Sequence, residues 1–205
     1  APTQETEKPA VLKASRDLAR AFEQANPDIS VQISGQLAVD ANVVEIAERD
    51  SAQVESVMML CLLALLAFFL RSFAAVLAGF AIMFTSVLAS TGFLGMVYGD
   101  FNGINLSTPY IVYMMAILDA VHIIAAYFSR LNQGLDKFSA MHDSLSKNLE
   151  ALLITSLTTA VGFLAMNFAD SPPFREFGNA TAFGVMFAFF CSVSLLPAIL
   201  LLFPA

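Results

Sequence analysis

Residues 73–98 form a continuous stretch without a charged side chain, and this stretch constrains the fold more than any other feature. A helix that crosses the hydrocarbon core of a bilayer needs about 20 mostly apolar residues, and the stretch is long enough. A soluble domain carries roughly 25% charged residues. This chain carries 13% charged residues, and its mean hydropathy is +0.72. The sequence therefore predicts an all-α integral membrane protein.

Four further apolar segments bring the predicted transmembrane helices to five. They cover residues 54–70, 109–128, 149–168 and 180–203. The first is short for a bilayer, so we expect its helix to continue from the residues before it. The polar residues 129–146 place Phe138, Met141 and Leu145 on one helical face, which predicts a separate amphipathic helix at the membrane surface.

The water-soluble part of the chain is residues 1–53. Residues 11–26 and 38–53 have helical periodicity, and residues 29–34 alternate apolar and polar side chains as a half-buried strand does. A single strand leaves its backbone groups unpaired. We therefore predict a small α/β fragment of a larger domain at 1–53, followed by a transmembrane domain at 54–205.

The distribution of charge predicts an orientation and excludes one class of partner. A net charge of −7 argues against nucleic-acid binding. Loops rich in Lys and Arg lie on the cytoplasmic side of a membrane. Four basic residues follow the first or the third span, namely Arg71, Arg130, Lys137 and Lys147. The loops on the opposite side carry only Arg175. The loops after these two spans are thus predicted to be cytoplasmic, with residues 1–53 outside the cytoplasm and the C-terminus inside.

Asp119 is the residue that most strongly indicates a function. It lies about ten residues into the third predicted span, close to the bilayer midplane, where a charged Asp costs roughly 2.5–3.5 kcal/mol. His122 follows at i+3 and shares the helix face, so the two side chains can exchange a proton. The pair predicts a proton relay, and the alternative is a neutral Asp that only fixes helix packing. Two ligands are too few for a metal site.

A polar stripe on the fourth predicted span is the second candidate feature. Thr155, Thr158, Thr159 and Gly162 recur at helical spacing. Small and hydroxyl residues let membrane helices approach closely and hydrogen-bond. Packing alone explains most of such a stripe, while the functional interpretation has a threonine hydroxyl supporting Asp119. We expect this face to meet the third span near Asp119. No cofactor-binding or nucleophile motif is present.

Three strings of residues resemble a known family. ILDAVHIIAAYFSRLNQG, residues 117–134, resembles the fourth transmembrane helix of the resistance–nodulation–division (RND) superfamily, and more narrowly of its MMPL-type and Patched-like exporters. LLITSLTTAVGFLAMNFADSPPFREFGN is similar to the fifth helix and following loop of that branch, and VSLLPAILLL to the end of the sixth. The match in order and spacing covers residues 54–203.

The resemblance implies that this chain is helices two to six of one half of a twelve-helix transporter, preceded by the end of a periplasmic porter domain. Such proteins are proton-driven secondary transporters of the bacterial cytoplasmic membrane, not enzymes, and need no cofactor. Asp119 matches the acid of the fourth helix. Many lipid exporters of the family follow that acid with Tyr and multidrug pumps with a second Asp, whereas Ala120 stands here. The absent multidrug pattern favours a lipid or other hydrophobic substrate.

The implied partners are membrane lipids and the missing second half of the polypeptide, a homologous half or further copies. A non-transporting protein of the same fold, such as a sterol-sensing or Sec-accessory protein, is the alternative function. Asp119 and His122 distinguish the two, because a sensor does not need a proton site at the midplane.

Overall fold

The computed structural model describes residues 8–35, 38–39, 56–62, 64, 67, 72–99 and 101–203. The chain forms two compact units, Ala1–Gln53 and Val54–Ala205. The assignment of the first unit to a porter domain stays a prediction.

The first unit contains one long helix, α1, at Lys8–Ala25. The strand predicted over residues 29–34 is wrong. These residues have no regular secondary structure, and no strand occurs within the described part of the chain. A strand needs a neighbour to pair with, and the backbone amide of Val31 instead donates to the Glu23 carboxylate at 2.8 Å. The expected helix over 38–53 lies mostly outside the described residues, although Ala38 and Val39 are helical.

The second unit is a bundle of four long helices. They are α2 at Phe73–Val97, α3 at Thr108–Asn132, α4 at Lys137–Leu164 and α5 at Pro172–Leu202, with short 3-10 helices at Asn105–Ser107 and Ala165–Phe168. All four are long and apolar enough to cross a membrane, so the protein is a multi-pass membrane protein. The remaining predicted span, 54–70, lies partly outside the described residues; 56–62, Ala64 and Ala67 are helical.

Helix α4 begins well before the predicted span at 149–168. The Asp136 carboxylate caps it by accepting the backbone N–H groups of Phe138 and Ser139 at 3.1 and 3.2 Å. Neither Pro nor Gly interrupts the helix before Gly162, so the expected surface helix at 129–146 is wrong. Met141, predicted to lie on its membrane face, is buried in the bundle core.

Helix α5 contacts the other three helices and forms the centre of the bundle. It begins at Pro172, earlier than the predicted span, because Pro fits the first turn of a helix, where its missing N–H is not needed. Two glycines allow the close approach. A Cβ at Gly178 would meet the Phe163 carbonyl oxygen, and one at Gly184 would lie 2.8 Å from the Ser90 Cβ. Small residues at such contacts are typical of membrane helices.

Polar contacts hold the two ends of the bundle. At the end where α3 begins, the side-chain amides of Asn102 and Asn105 donate to the Glu176 carboxylate at 2.8 and 3.2 Å. At the end where α3 finishes, Arg130 pairs with Asp143 of α4. Lys147 lies 3.4 Å from the same carboxylate. Ionic groups thus lie at the ends of the bundle, and Asp119 lies between them.

Candidate functional site

Asp119 lies inside the bundle, with 1% of its surface exposed. Its position on the buried side of α3 is set by Ala116, Ala120 and Ile123, which are fully buried neighbours on the same helix. Neither carboxyl oxygen has a hydrogen-bond partner among the described residues. Leaving a buried polar group without a partner costs about 1–3 kcal/mol, and more if the group is charged. A residue retained at this cost indicates a function beyond packing.

Ser156 of α4 is the side chain that approaches the Asp119 carboxyl group. Its hydroxyl lies close enough to interact with the carboxyl group. The Ser156 hydroxyl and both Asp119 carboxyl oxygens are nevertheless buried without a hydrogen bond among the described residues. Leu152, Ser156 and Ala160 form the buried face of this part of α4. The pair is therefore a polar contact between α3 and α4 inside the bundle.

The predicted threonine stripe does not pack as expected. Thr155 and Thr158 are exposed, and their hydroxyls donate to backbone carbonyls of α4 itself, those of Ala151 and Ile154, at 2.8 Å. Thr159 is half-buried and Gly162 is exposed. The expectation that this face meets α3 is therefore wrong for Thr155 and Thr158. A role of the three threonines in a relay stays a prediction.

His122 and Asp119 lie on different sides of α3. Asp119 is buried, whereas His122 is exposed in a stripe with Met114, Leu118 and Ala125. Residues three apart are about 60° apart around a helix, so one can face the core while the other leaves it. Within the described chain the imidazole therefore does not share an enclosed site with the carboxyl group. Their common relay stays a prediction.

Three further hydroxyl groups are buried without a partner among the described residues. They belong to Ser86 of α2, Tyr127 of α3 and Ser192 of α5. The sequence allowed Ser86 either a packing or a functional role and favoured packing. It did not single out Tyr127, Ser192 or Ser156, because a lone hydroxyl in an apolar segment looks the same on a lipid face as in the core. The described residues contain no group of three or more His, Cys, Asp or Glu placed to hold a metal ion.

Comparison with known sequences identifies the family. The MMPL family matches residues 2–204. The chain belongs to the MMPL family. This assignment confirms the predicted resemblance, and it covers both the helix with Asp119 and the helix with Ser156.

Relatives of this MMPL chain are mycobacterial transport proteins. It is 28% identical over 184 residues to the probable transport protein MmpL12 of Mycobacterium tuberculosis strain H37Rv, covering 87% of this chain and 16% of the relative. It is 25% identical over 185 residues to the sulfolipid-1 exporter MmpL8 of that strain, covering 87% of this chain and 17% of the relative. It is 24% identical over 188 residues to the probable transport protein MmpL10 of Mycobacterium leprae, covering 87% of this chain and 19% of the relative. The chain thus spans less than a fifth of each.

The contact between Asp119 and Ser156 predicts an energetic coupling in the full-length MMPL protein. In a double-mutant cycle of Asp119→Asn and Ser156→Ala, the two effects on the free energy of unfolding should differ from additivity by about 0.5–3 kcal/mol, as for residues in contact. The control cycle pairs Asp119→Asn with Thr158→Ala and should be additive within about 0.5 kcal/mol. Unfolding by sodium dodecyl sulfate in mixed micelles measures both. Equal coupling in the two cycles would contradict the contact.

Proposed function

We propose that the protein to which this chain belongs is a proton-driven secondary transporter that exports a lipid or another hydrophobic molecule from the bacterial cytoplasmic membrane. The relatives named above are transport proteins, and one is named a sulfolipid exporter. These names support a transporter of hydrophobic cargo and do not favour the non-transporting alternative. The remainder of the proposal rests on the described residues.

The observation that carries the proposal is the enclosed carboxyl group of Asp119. When the group is ionised, its charge lies in a surrounding of low polarity and favours any helix arrangement that brings it a donor or water. When the group is protonated, that preference disappears. A proton can shift an equilibrium between two arrangements only if it binds them with different affinity, and burial of the group in one arrangement supplies such a difference. The Ser156 hydroxyl is the donor that one arrangement would use.

The exposed position of His122 suggests where the rest of the relay lies. An imidazole near the middle of a membrane helix is costly in contact with lipid, and such groups face protein or a water-filled cavity. We propose that the stripe of Met114, Leu118, His122 and Ala125 is covered by the second half of the same polypeptide, by a homologous half or by another copy. His122 then tunes proton exchange at Asp119 from that interface, and Thr155, Thr158 and Thr159 line its edge.

The proposed orientation follows from the ionic residues at the bundle ends. Arg130, Lys137 and Lys147 lie where α3 finishes and α4 begins, and loops of this composition face the cytoplasm. Glu176 lies at the opposite end, which we place on the periplasmic side with residues 1–53. The C-terminus of the chain is then cytoplasmic.

Replacing Asp119 by Asn should abolish proton-coupled transport, because an amide has a similar shape to a protonated carboxyl group but does not titrate. The full-length protein is reconstituted into vesicles made from the lipid extract of its own cells, which supplies native lipid cargo. A pH-sensitive dye inside reports proton flux under an imposed gradient. Asp119→Asn should give the flux of empty vesicles, and His122→Ala should slow the flux less.

The matched control for that measurement is Asp170→Asn, the same change at an exposed loop position. It should leave the flux at the wild-type rate. All variants are first checked for equal insertion and monodispersity. Wild-type flux in Asp119→Asn would refute the relay and leave the packing interpretation of this residue.

The orientation predicts that two exposed positions react with a membrane-impermeant thiol reagent from opposite sides. In a variant without the native Cys61 and Cys191, single cysteines replace Asp170 or Asn132. In cells whose outer envelope is permeabilised and whose cytoplasmic membrane is intact, the cysteine at 170 should react. The one at 132 should react only after the cytoplasmic membrane is disrupted. Labelling of both from the same side would overturn the orientation.

A further inference from the structure

Tyr127 is a buried phenol that the proposed mechanism has not used. Its side chain lies on the core side of α3 with 1% of its surface exposed. Its hydroxyl has no hydrogen-bond partner within the described ranges. The ring packs at a centroid distance of 5.5 Å from the Phe128 ring. Phe at this position would fill the same space, so packing does not account for the hydroxyl group.

The position of Tyr127 relates it to Asp119. Eight residues separate them on one helix, which is a rise of about 12 Å, or roughly two turns. Side chains of a helix lean toward its N-terminus, so the Tyr127 side chain extends from its Cα back toward the level of Asp119. Between the two levels, the Ser144 hydroxyl of α4 donates to the Ile123 carbonyl at 2.7 Å. Polar groups therefore follow α3 from Asp119 toward its C-terminal end.

Among the described residues of the four long helices, few ionisable groups lie on the core side of the bundle near the level of Tyr127. Helix α2 contains no Asp, Glu, Lys, Arg or His, and α5 contains none after Glu176 except the thiol of Cys191. At the end where α3 finishes, Arg130 and Lys147 both lie against the Asp143 carboxylate. His142 of α4 is exposed. Between Asp119 and that end, the polar side chains that the described core offers to a proton are hydroxyl groups.

We propose that the Tyr127 hydroxyl positions the water through which Asp119 exchanges protons with the cytoplasm; this inference rests on the proposed function. The hydroxyl accepts a proton from a protonated water on one side while its own proton passes to a water on the other. One O–H bond forms as another breaks, and the phenol is neutral before and after. Tyr127 is thus a positioning residue for the cytoplasmic half of the pathway, and Asp119 is the carrier.

The test uses the full-length protein in the lipid-extract vesicles with the internal pH dye. Tyr127→Phe keeps the ring and removes only the oxygen. It should slow proton flux roughly three- to tenfold, the factor that corresponds to one hydrogen bond of ordinary strength. The control is Tyr110→Phe, the same change on a half-buried ring in the first turn of α3, and it should leave the flux unchanged.

A solvent isotope measurement separates a proton pathway from a packing defect. If proton exchange through Tyr127 becomes limiting, the ratio of flux in H2O to flux in D2O should be larger in Tyr127→Phe than in the wild type. A slower flux with an unchanged ratio would show a packing role and overturn the proposal, as would wild-type flux in Tyr127→Phe.

Asp119→Asn is measured in parallel. If it conducts like the wild type, the proposed function fails; if it is inactive while Tyr127→Phe is normal, only this inference fails.

Discussion

The burial of one carboxyl group in an apolar helix bundle is the constraint on which this structure depends. Asp119 lies near the middle of α3, enclosed by alanine and isoleucine side chains, and its oxygens lack a partner among the described residues. Close packing of small and apolar side chains favours the helix contacts around it, whereas the acid opposes burial whenever it is ionised. Under the proposed function, the preferred arrangement of the bundle depends on the proton that this one carboxyl group binds.

The packing of the helices around Asp119 explains how a change there could be transmitted. Helix α5 contacts all three neighbours and approaches α4 and α3 closely at Gly178 and Gly184. Contacts this close have few intermediate arrangements, so helices shift as bodies when one contact is lost. The ionic and amide contacts at the two ends, at Asp143 and at Glu176, hold those ends together. Asp119 and Ser156 lie between those ends, and their buried polar atoms have no partner among the described residues.

The sequence predicted the membrane helices well and their ends poorly. Residues 73–98 were expected to span the membrane, and α2 covers Phe73–Val97. Apolar runs mark the part of a helix in hydrocarbon, whereas helix ends depend on caps and breakers; hence α4 extends back to Lys137 behind the Asp136 cap, and α5 back to Pro172. The strand at 29–34 was expected from alternation alone, but alternation does not supply a partner strand.

The site was predictable in its central residue and less so in its neighbours. Asp119 stands out in any reading because an acid in an apolar segment is costly. Ser156 was not recognised, since the rotation of α4 toward α3 follows from tertiary packing. Tyr127 was not recognised, since a lone hydroxyl in an apolar segment looks the same on a lipid face as in the core. The i+3 spacing from Asp119 to His122 did not decide whether His122 faces the core or leaves it, because tertiary packing sets the rotation of α3. The rotations of α3 and α4 about their axes decide which hydroxyl group contacts Asp119.

Infrared difference spectroscopy of the full-length protein, with isotope-labelled aspartate, tests most directly whether the Asp119 carboxyl group binds and releases the coupled proton. Spectra recorded at two pH values report the C=O band of each aspartic acid that gains a proton. The account predicts a band of a carboxyl group in an apolar environment that appears on acidification and is missing in Asp119→Asn. A difference spectrum that Asp119→Asn leaves unchanged would contradict it.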